Sequence, residues 1–459
     1  MKPKPISRRE FLINSVAGAA GIGFLADCNS HSAIGPVIRL PSAPKGLDYH
    51  LESNDTSTSV IISWSPHDLT DITGAKSVTG IAGFNVFRDN STIATLFTGT
   101  SFVDSGVQES QTYSYTLTAV DEKGNESPKS DSLIVAVQPR VTVFQVTDAT
   151  AVGATSSLAI NGDIVKAMLD ASMLQLSGQS TVSAAWESLF PVLSSATLIG
   201  IKVNTLGGAN ISTKPAVVEA IVDGLTSMLN NTFPAYNIIV FDDRGKDTHM
   251  KPAGFTLRDD GTNYRIASTN WNTTLHGIPV DQSESASDLW GSTLDINGVS
   301  QKLSTIIESV DYLINVPILK NHSESGITFS MKNFYGLIQN PQNLHGTMCN
   351  PYIPVLYNQE VQGKKLKDKV RLIVGDALLG CYNGGPTGSP NMKPCTLVVG
   401  TDPVAMDTWA LRRINQERVN VNLPQISFIP TGDARHVLAA SLEPYSLGST
   451  NFVVKEVPL

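Results

Sequence analysis

The chain has 459 residues, 41% hydrophobic and 16% charged, which fits a low-charge globular protein of two or three domains. Its formal net charge of −8 argues against a nucleic-acid partner, because holding a phosphate backbone needs a basic face. The one dense basic run, Lys364 to Lys369, reads as a solvated loop.

The first residues read as an export signal. Ser7-Arg8-Arg9-Glu10-Phe11-Leu12 is a twin-arginine motif. The Gly/Ala-rich stretch from Ile13 to Ala26 that follows is too short and too glycine-rich to span a membrane, which takes about 20 apolar residues. Residues 1–28 are therefore expected to be a twin-arginine signal peptide, and the protein to be periplasmic or envelope-anchored. Leu25-Ala26-Asp27-Cys28 resembles a lipoprotein cleavage box, with Cys28 as the lipidated residue and any membrane contact made only through that anchor. Asp27 stands where a small residue is usual, which leaves lipidation open. The glycines between Gly18 and Gly23 belong to the signal and follow no strand, so they are no nucleotide loop. Twin-arginine export carries folded proteins, often with a cofactor already loaded.

Beyond Cys28 there are Cys349, Cys381 and Cys395, with no C-x-x-C, so no iron–sulfur cluster is expected. An oxidising compartment permits a disulfide, and Cys381–Cys395 is the nearest pair in sequence.

After a linker at 29–40, residues 41–138 carry short alternating segments. Val60 to Trp64, Gly83 to Asp89 and Tyr113 to Asp121 read as strands, separated by turns such as Asp89-Asn90 and Glu122-Lys123-Gly124-Asn125. Strands at this spacing predict an all-β sandwich. The opening Pro41, Pro44, Gly46 and Leu47, then Trp64, then a Tyr-x-Tyr strand ending in Ala-Val-Asp resemble a fibronectin type III domain. The resemblance implies a spacer or adhesive module, with cell-envelope or carbohydrate contact.

Residues 139–459 alternate strands with helices, which predicts an α/β domain with a mixed, mainly parallel sheet. Strands are expected at Val141 to Val146, Ala196 to Val203, Tyr236 to Phe241, Tyr312 to Leu319, Val370 to Val374 and Thr396 to Val399. Helices are expected at Asn161 to Leu176, at Lys214 to Leu229 with a cap near Ser212-Thr213, and from Asp407 through Leu411. The polar stretch 245–300, with Trp271, His276 and Trp290, reads as an insertion or small hairpin region.

Polar clusters recur where these strands end. They are Lys202/Asn204, Asp242/Asp243/Arg244, Lys320/His322, Asp376 and Asp402. Each alone is an ordinary turn residue or helix cap, but together they would face one rim of a sheet, where α/β proteins bind ligands. His322 and His345 are candidate metal ligands, with Asp376, Asp402 and Asp407 as carboxylate partners for a divalent metal. Lys202, Lys320 and Lys332, with Asn204 and Asn333 beside them, could hold a carboxylate or phosphate, stabilise an oxyanion, or act as a base once desolvated. Gly384, Gly385 and Gly388 could cradle an anion through backbone N–H groups, or form a flexible loop; the spacing is not a P-loop. No G-x-S-x-G elbow is present.

From about Ala196 to Arg413 the chain resembles the family catalogued as domain of unknown function 362. The residues that carry the resemblance are Ile201 to Asn204, Pro317 to His322, Lys332 to Gly336, His345, Gly375 to Ala377, Gly384 to Gly388 and Asp402 to Asp407. The family implies the fold domain rather than a reaction. A looser similarity is to the lactate racemase family, which holds a nickel-containing nucleotide through a lysine and uses histidines for ligation and proton transfer. His322, Lys332 and His345 fall in a comparable order, and that family's glycine-rich surroundings of the lysine are missing.

The expected function is thus an exported, metal-assisted enzyme acting on a small anionic or hydroxylated substrate. The alternatives are a non-catalytic envelope-anchored ligand-binding protein and a lactate-racemase-like enzyme with a lysine-held cofactor.

Overall fold

A computed structural model describes residues 40–65, 80–154, 158–242, 249–268, 290–428 and 430–459. The signal at 1–28 with Cys28, the linker to residue 39, Asp243, Arg244, Trp271 and His276 lie outside the described residues. Among those described, no helix is long and apolar enough to cross a membrane.

Alternation of apolar and polar side chains builds the first domain. Strands Asp48–Ser53, Thr58–Ser63 and Ser101–Asp104 form one antiparallel sheet. Strands Ser91–Phe97, Ile81–Arg88, Gln111–Asp121 and Leu133–Val137 form the other, in that order. Val60, Ile62, Val86, Tyr115 and Leu117 are fully buried between the sheets, and Trp64 packs edge-on to Phe84 with centroids 5.2 Å apart. The Asp89-Asn90 turn takes positive φ at both residues (50° and 65°), as a two-residue hairpin loop requires. This is a fibronectin type III-like sandwich.

The second domain holds a ten-stranded sheet. Its main path runs Arg265–Ser268, Ile238–Asp242, Ile199–Lys202, Tyr312–Asn315, Val370–Cys381, Thr396–Gly400, Val141–Thr147, Phe452–Glu456, with Ile318–His322 and Gly326–Thr328 branching from the long strand. Six of its ladders are parallel and three antiparallel, so the sheet is mixed and mainly parallel. Successive strand residues face opposite ways. Ile238 and Val240 join the core under helices Gly162–Ser177 and Pro215–Thr226, whereas Ile239 and Phe241 join the core under helix Pro403–Asn420.

Several boundaries differ from the sequence reading. The expected single strand Tyr312 to Leu319 is two, Tyr312–Asn315 and Ile318–His322, broken where Pro317 has no N–H to give a ladder. The chain sidesteps there: Leu313 to Asn315 pair with the start of the long strand, and Ile318 and Lys320 pair with its later residues Asp376 and Cys381. Lys320 and His322 therefore sit in a strand rather than after one. That long strand does not stop at Val374, because Gly375 is needed for close packing; a Cβ there would stand 2.3 Å from the Phe329 ring. The helix expected from Asp407 begins at Pro403, with the Asp402 carboxylate accepting from the N–H groups of Val404 and Ala405 (2.9 and 2.8 Å). The helix after Lys214 has no side-chain cap; Thr213 instead donates to the Val316 carbonyl at 2.7 Å. Within 245–300 lie an edge strand, Arg265–Ser268, and a hairpin of Trp290–Ile296 with Val299–Ser304. Cys349, Cys381 and Cys395 are buried and unpaired, so the nearest-pair disulfide is not formed.

The sandwich is joined to the α/β domain by a buried seam rather than held off as a spacer. Leu438 of helix Arg435–Ser441 enters the sandwich core. Buried Asn451 donates to the Gln138 carbonyl (2.6 Å) and Thr58 Oγ1 (3.2 Å) and accepts from the Ser53 hydroxyl. Arg412 donates to the Leu51 carbonyl. Asn451→Ala is predicted to lower stability by about 1–3 kcal/mol, because it strands these buried partners. Both domains should then unfold in one denaturant transition at a lower midpoint; two separate transitions, one at an unchanged midpoint, would contradict a coupling seam.

Candidate functional site

Three strand ends and the turn after Gly326–Thr328 meet at a cleft of about 190 Å³. Lys202, Asn204, Asp242, His322, Lys332, Asn333 and His345 line it, with Thr205, Leu206, His249, Thr328, Tyr335, Gly336, Pro341 and Gln342. Parallel pairing in register sets the floor: Lys202 stands beside Asn315 on one side and Phe241 on the other, so Asp242 follows within reach. Lys332 and Asn333 open a short 3-10 turn, Lys332–Leu337, anchored where the Met331 N–H donates to Asp407 Oδ2 at 3.1 Å. Gly336 lets that turn lie against the floor, since a Cβ there would come within 2.6 Å of both Asp242 Oδ1 and Lys202 Nζ.

The floor is an ion pair inside an amide network. Lys202 Nζ, fully buried, donates to Asp242 Oδ1 at 2.6 Å, to the Val203 carbonyl at 2.7 Å and to Asn333 Oδ1 at 3.4 Å. The other Asp242 oxygen accepts from the Thr205 N–H and hydroxyl (2.6 and 2.9 Å). Asn333 donates to Asn315 Oδ1 at 2.8 Å and accepts from Asn204 Nδ2 at 3.1 Å. Asn204 Oδ1 in turn accepts from Lys320 Nζ at 2.8 Å. Lys320 is fully buried and stands behind Asn204, outside the cleft lining. Burial pushes its amine down to about 7, helped by Lys202 and Lys332 and opposed by Asp242 and Cys381.

The opposite wall is a Lys–His cluster. Lys332 Nζ lies 3.0 Å from His345 Nε2, 3.5 Å from Cys349 Sγ and 3.8 Å from the centre of the Tyr335 ring. Burial pushes its amine down to about 8, against Cys349 and Glu324. His345 Nδ1 faces the Pro341 carbonyl at 3.1 Å, which can only accept, so Nδ1 carries the proton and Nε2 accepts from Lys332. His322 has the other tautomer: Nδ1 accepts from the Glu324 N–H at 3.0 Å, leaving the proton on Nε2. Burial first, then Lys332, push both imidazoles down, His322 to about 2, so His322 is neutral at pH 7. Their rings stack 5.5 Å apart at 21°.

The structure thus brings Lys202, Asn204, His322, Lys332, Asn333 and His345 together and does not bring the carboxylates expected as metal ligands. Asp376 is mid-strand, and its oxygens accept from the Lys214 and Leu378 N–H groups (2.8 and 3.1 Å). Asp402 caps a helix and accepts from the Ser449 N–H at 2.9 Å. Asp407 is fully buried behind Met331. Among the described residues no group of three or more His, Cys, Asp or Glu side chains is placed to hold a metal, so the set His322, His345, Asp376, Asp402 and Asp407 is not assembled. The glycine loop is not at the cleft either. The Gly385 N–H donates to Asn321 Oδ1 at 2.8 Å and the Gly388 N–H to the Gly384 carbonyl at 3.1 Å, so neither is left to cradle an anion there.

Sequence reasoning left Tyr335, Cys349, Thr205, His249 and Gln342 out of the site and gave Asp242 no role. Tyr335 and Cys349 follow Lys332 and His345 by three and four residues, spacing that would have flagged them. His249, Thr205 and Gln342 carry no such signal.

Asp242→Asn is predicted to cost about 3–5 kcal/mol, because it leaves the Lys202 ammonium buried without its counter-charge. A loss typical of surface pairs, about 1 kcal/mol or less, would contradict that. Burial raises Asp376 and Asp402 to about 6 and Asp407 to about 7. A raised carboxyl keeps a proton in the fold that the unfolded chain has released, so stability falls as pH rises from about 4 toward 7. Between about 6 and 7 the slope belongs to Asp407 among these three. Urea titrations at a series of pH values should show Asp407→Asn flattening that span; an unchanged slope would contradict it.

Residues 199–412 match the family described as "Domain of unknown function (DUF362)". Part of the chain is similar to chitinase 63 of Streptomyces plicatus, at 33% identity over 118 residues, 25% of this chain and 18% of that enzyme. Part is similar to a poly(3-hydroxybutyrate) depolymerase of Ralstonia pickettii, at 33% over 106 residues, 23% of this chain and 19% of that enzyme. The matches thus span less than a fifth of either relative's length. Among solved structures, similarity extends to a Fn3-like protein from Clostridium thermocellum at 26% identity and a TM-score of 0.17, covering 22% of this chain and 96% of that one. The Bacillus thuringiensis chitinase ChiA74 is similar at 21% identity and a TM-score of 0.17, covering 22% of this chain and 14% of that one.

Proposed function

We propose that the cleft binds a small anionic molecule and that the protein is an enzyme acting on it by proton transfer through Lys332 and His345. The observation that carries this reading is a charge imbalance. Among the described residues, three buried lysines, Lys202, Lys320 and Lys332, have one buried carboxylate in hydrogen-bond contact, Asp242, and it is already engaged by Lys202. Buried ammonium groups without counter-charges are costly, and an anion entering the cleft relieves that cost. His322 offers its Nε2 proton to such a ligand, and His345 Nε2, beside the Lys332 amine, is placed to accept and return a proton. With the twin-arginine motif at residues 7–12, the proposed place of action is the periplasm or the envelope.

Calorimetric titration with acetate and with inorganic phosphate tests the reading. Binding of either is expected, weakened at least tenfold, or about 1.4 kcal/mol, in Lys332→Met. Affinity should hold from pH 6 to 7 and fall above about 8, where the Lys332 ammonium loses its proton. No binding of either anion, or binding undiminished in Lys332→Met, would sink the proposal. Binding without any proton-transfer chemistry would leave a ligand-binding protein rather than an enzyme.

A further inference from the structure

We propose that the substrate carries a carbonyl next to its anionic group, as in a small 2-oxo acid, and that Lys332 joins it covalently as an imine. This rests on the anion-binding reading above and goes beyond it in naming the reacting amine and the bond it forms.

The three lysines are not equivalent. Lys202 is held as an ammonium by Asp242 at 2.6 Å, with further hydrogen bonds to Val203 and Asn333. Lys320 donates to Asn204 and stands behind it, so no ligand in the cleft reaches its amine. Lys332 lines the cleft and, among the described residues, has no carboxylate in hydrogen-bond contact; its polar neighbours are an imidazole nitrogen and a thiol. Glu324, with its side chain 61% exposed, stands 4.0 Å from His345 Nε2 and acts on Lys332 through space only. An amine so placed gives up its proton far more readily than one paired with a carboxylate, which is the condition for attack on a carbonyl carbon.

The groups for the remaining steps are present. The neutral Lys332 nitrogen adds to the carbonyl carbon, forming a C–N bond as the C–O π bond opens. His345 Nε2, 3.0 Å from that nitrogen, takes a proton from it and returns it to the carbinolamine hydroxyl. That hydroxyl leaves as water. The sum is amine plus carbonyl giving imine plus water, with no oxidant or reductant. His322 lines the same cleft, and its Nε2 proton can hold the carbonyl oxygen while it carries negative charge.

Reductive trapping tests this directly. The full-length protein is incubated with pyruvate and sodium cyanoborohydride, digested, and its peptides read by mass spectrometry, with pyruvate binding followed in parallel by calorimetry. The expected result is one stoichiometric carboxyethyl adduct on Lys332, formed faster at pH 8.5 than at pH 6.5. It should be absent in Lys332→Arg, which keeps the wild-type thermal midpoint within a few degrees. His345→Gln should leave the same adduct but slow its formation at least tenfold, which keeps the test informative if the arginine variant misfolds. Pyruvate binding without an adduct on Lys332 overturns the imine and leaves the anion-binding reading standing. An adduct scattered over exposed lysines such as Lys45 also overturns it. No binding of pyruvate, acetate or phosphate overturns both.

Discussion

The cleft depends on one buried ion pair, Lys202 with Asp242, the only such pair among the described residues for three lysines. Lys202 ends one strand and Asp242 the next, and parallel register sets them 2.6 Å apart with no side-chain search needed. With Asp242 taken by Lys202, Lys320 and Lys332 are left, among the described residues, with amide, carbonyl, imidazole and thiol partners. Each partner accepts a hydrogen bond without cancelling the charge. Burial then lowers both amines toward neutrality, to about 7 and about 8, and the cleft keeps a positive interior. The chain Lys320, Asn204, Asn333, Asn315 links these charges through side-chain amides, so moving one re-orients the rest.

The break at Pro317 is what lets one sheet present so many polar groups at one place. Had the strand run unbroken from Tyr312, its residues would have paired along one half of the long strand. Lys320 and His322 would then have passed beyond the rim. The sidestep moves the second half to Asp376 and Cys381, and the short hairpin to Gly326–Thr328 turns the chain back so that Lys332 and Asn333 face Lys202 and Asn204. The buried carboxylates that do not reach the cleft serve this framework. Asp407 pins the turn at Met331, and Asp376 pins the start of helix Pro215–Thr226.

Much of this was legible in the sequence. Alternation marked the sandwich strands, the apolar runs marked the central sheet strands, and the polar residues at their ends named Lys202, Asn204, Asp242 and His322 of the cleft lining. The carboxylates misled because an aspartate before or within an apolar run looks the same whether it caps a helix, holds a backbone N–H or faces a ligand. Asp402 before Pro403 is the capping case, and Asp376 is hidden by a glycine that suggests a strand end but serves close packing. The glycine loop misled for a related reason, since its N–H groups close on Asn321 and on the loop itself. The seam between sandwich and α/β domain was invisible, because Asn451, Leu438 and Arg412 find their partners hundreds of residues away.

A crystal structure grown with millimolar acetate at pH 6.5 tests the central claim most directly. The account predicts a carboxylate within hydrogen-bond distance of Lys332 Nζ and His322 Nε2, with the Lys202–Asp242 pair undisturbed. A cleft holding only water, or an anion that takes Lys202 away from Asp242, would contradict it.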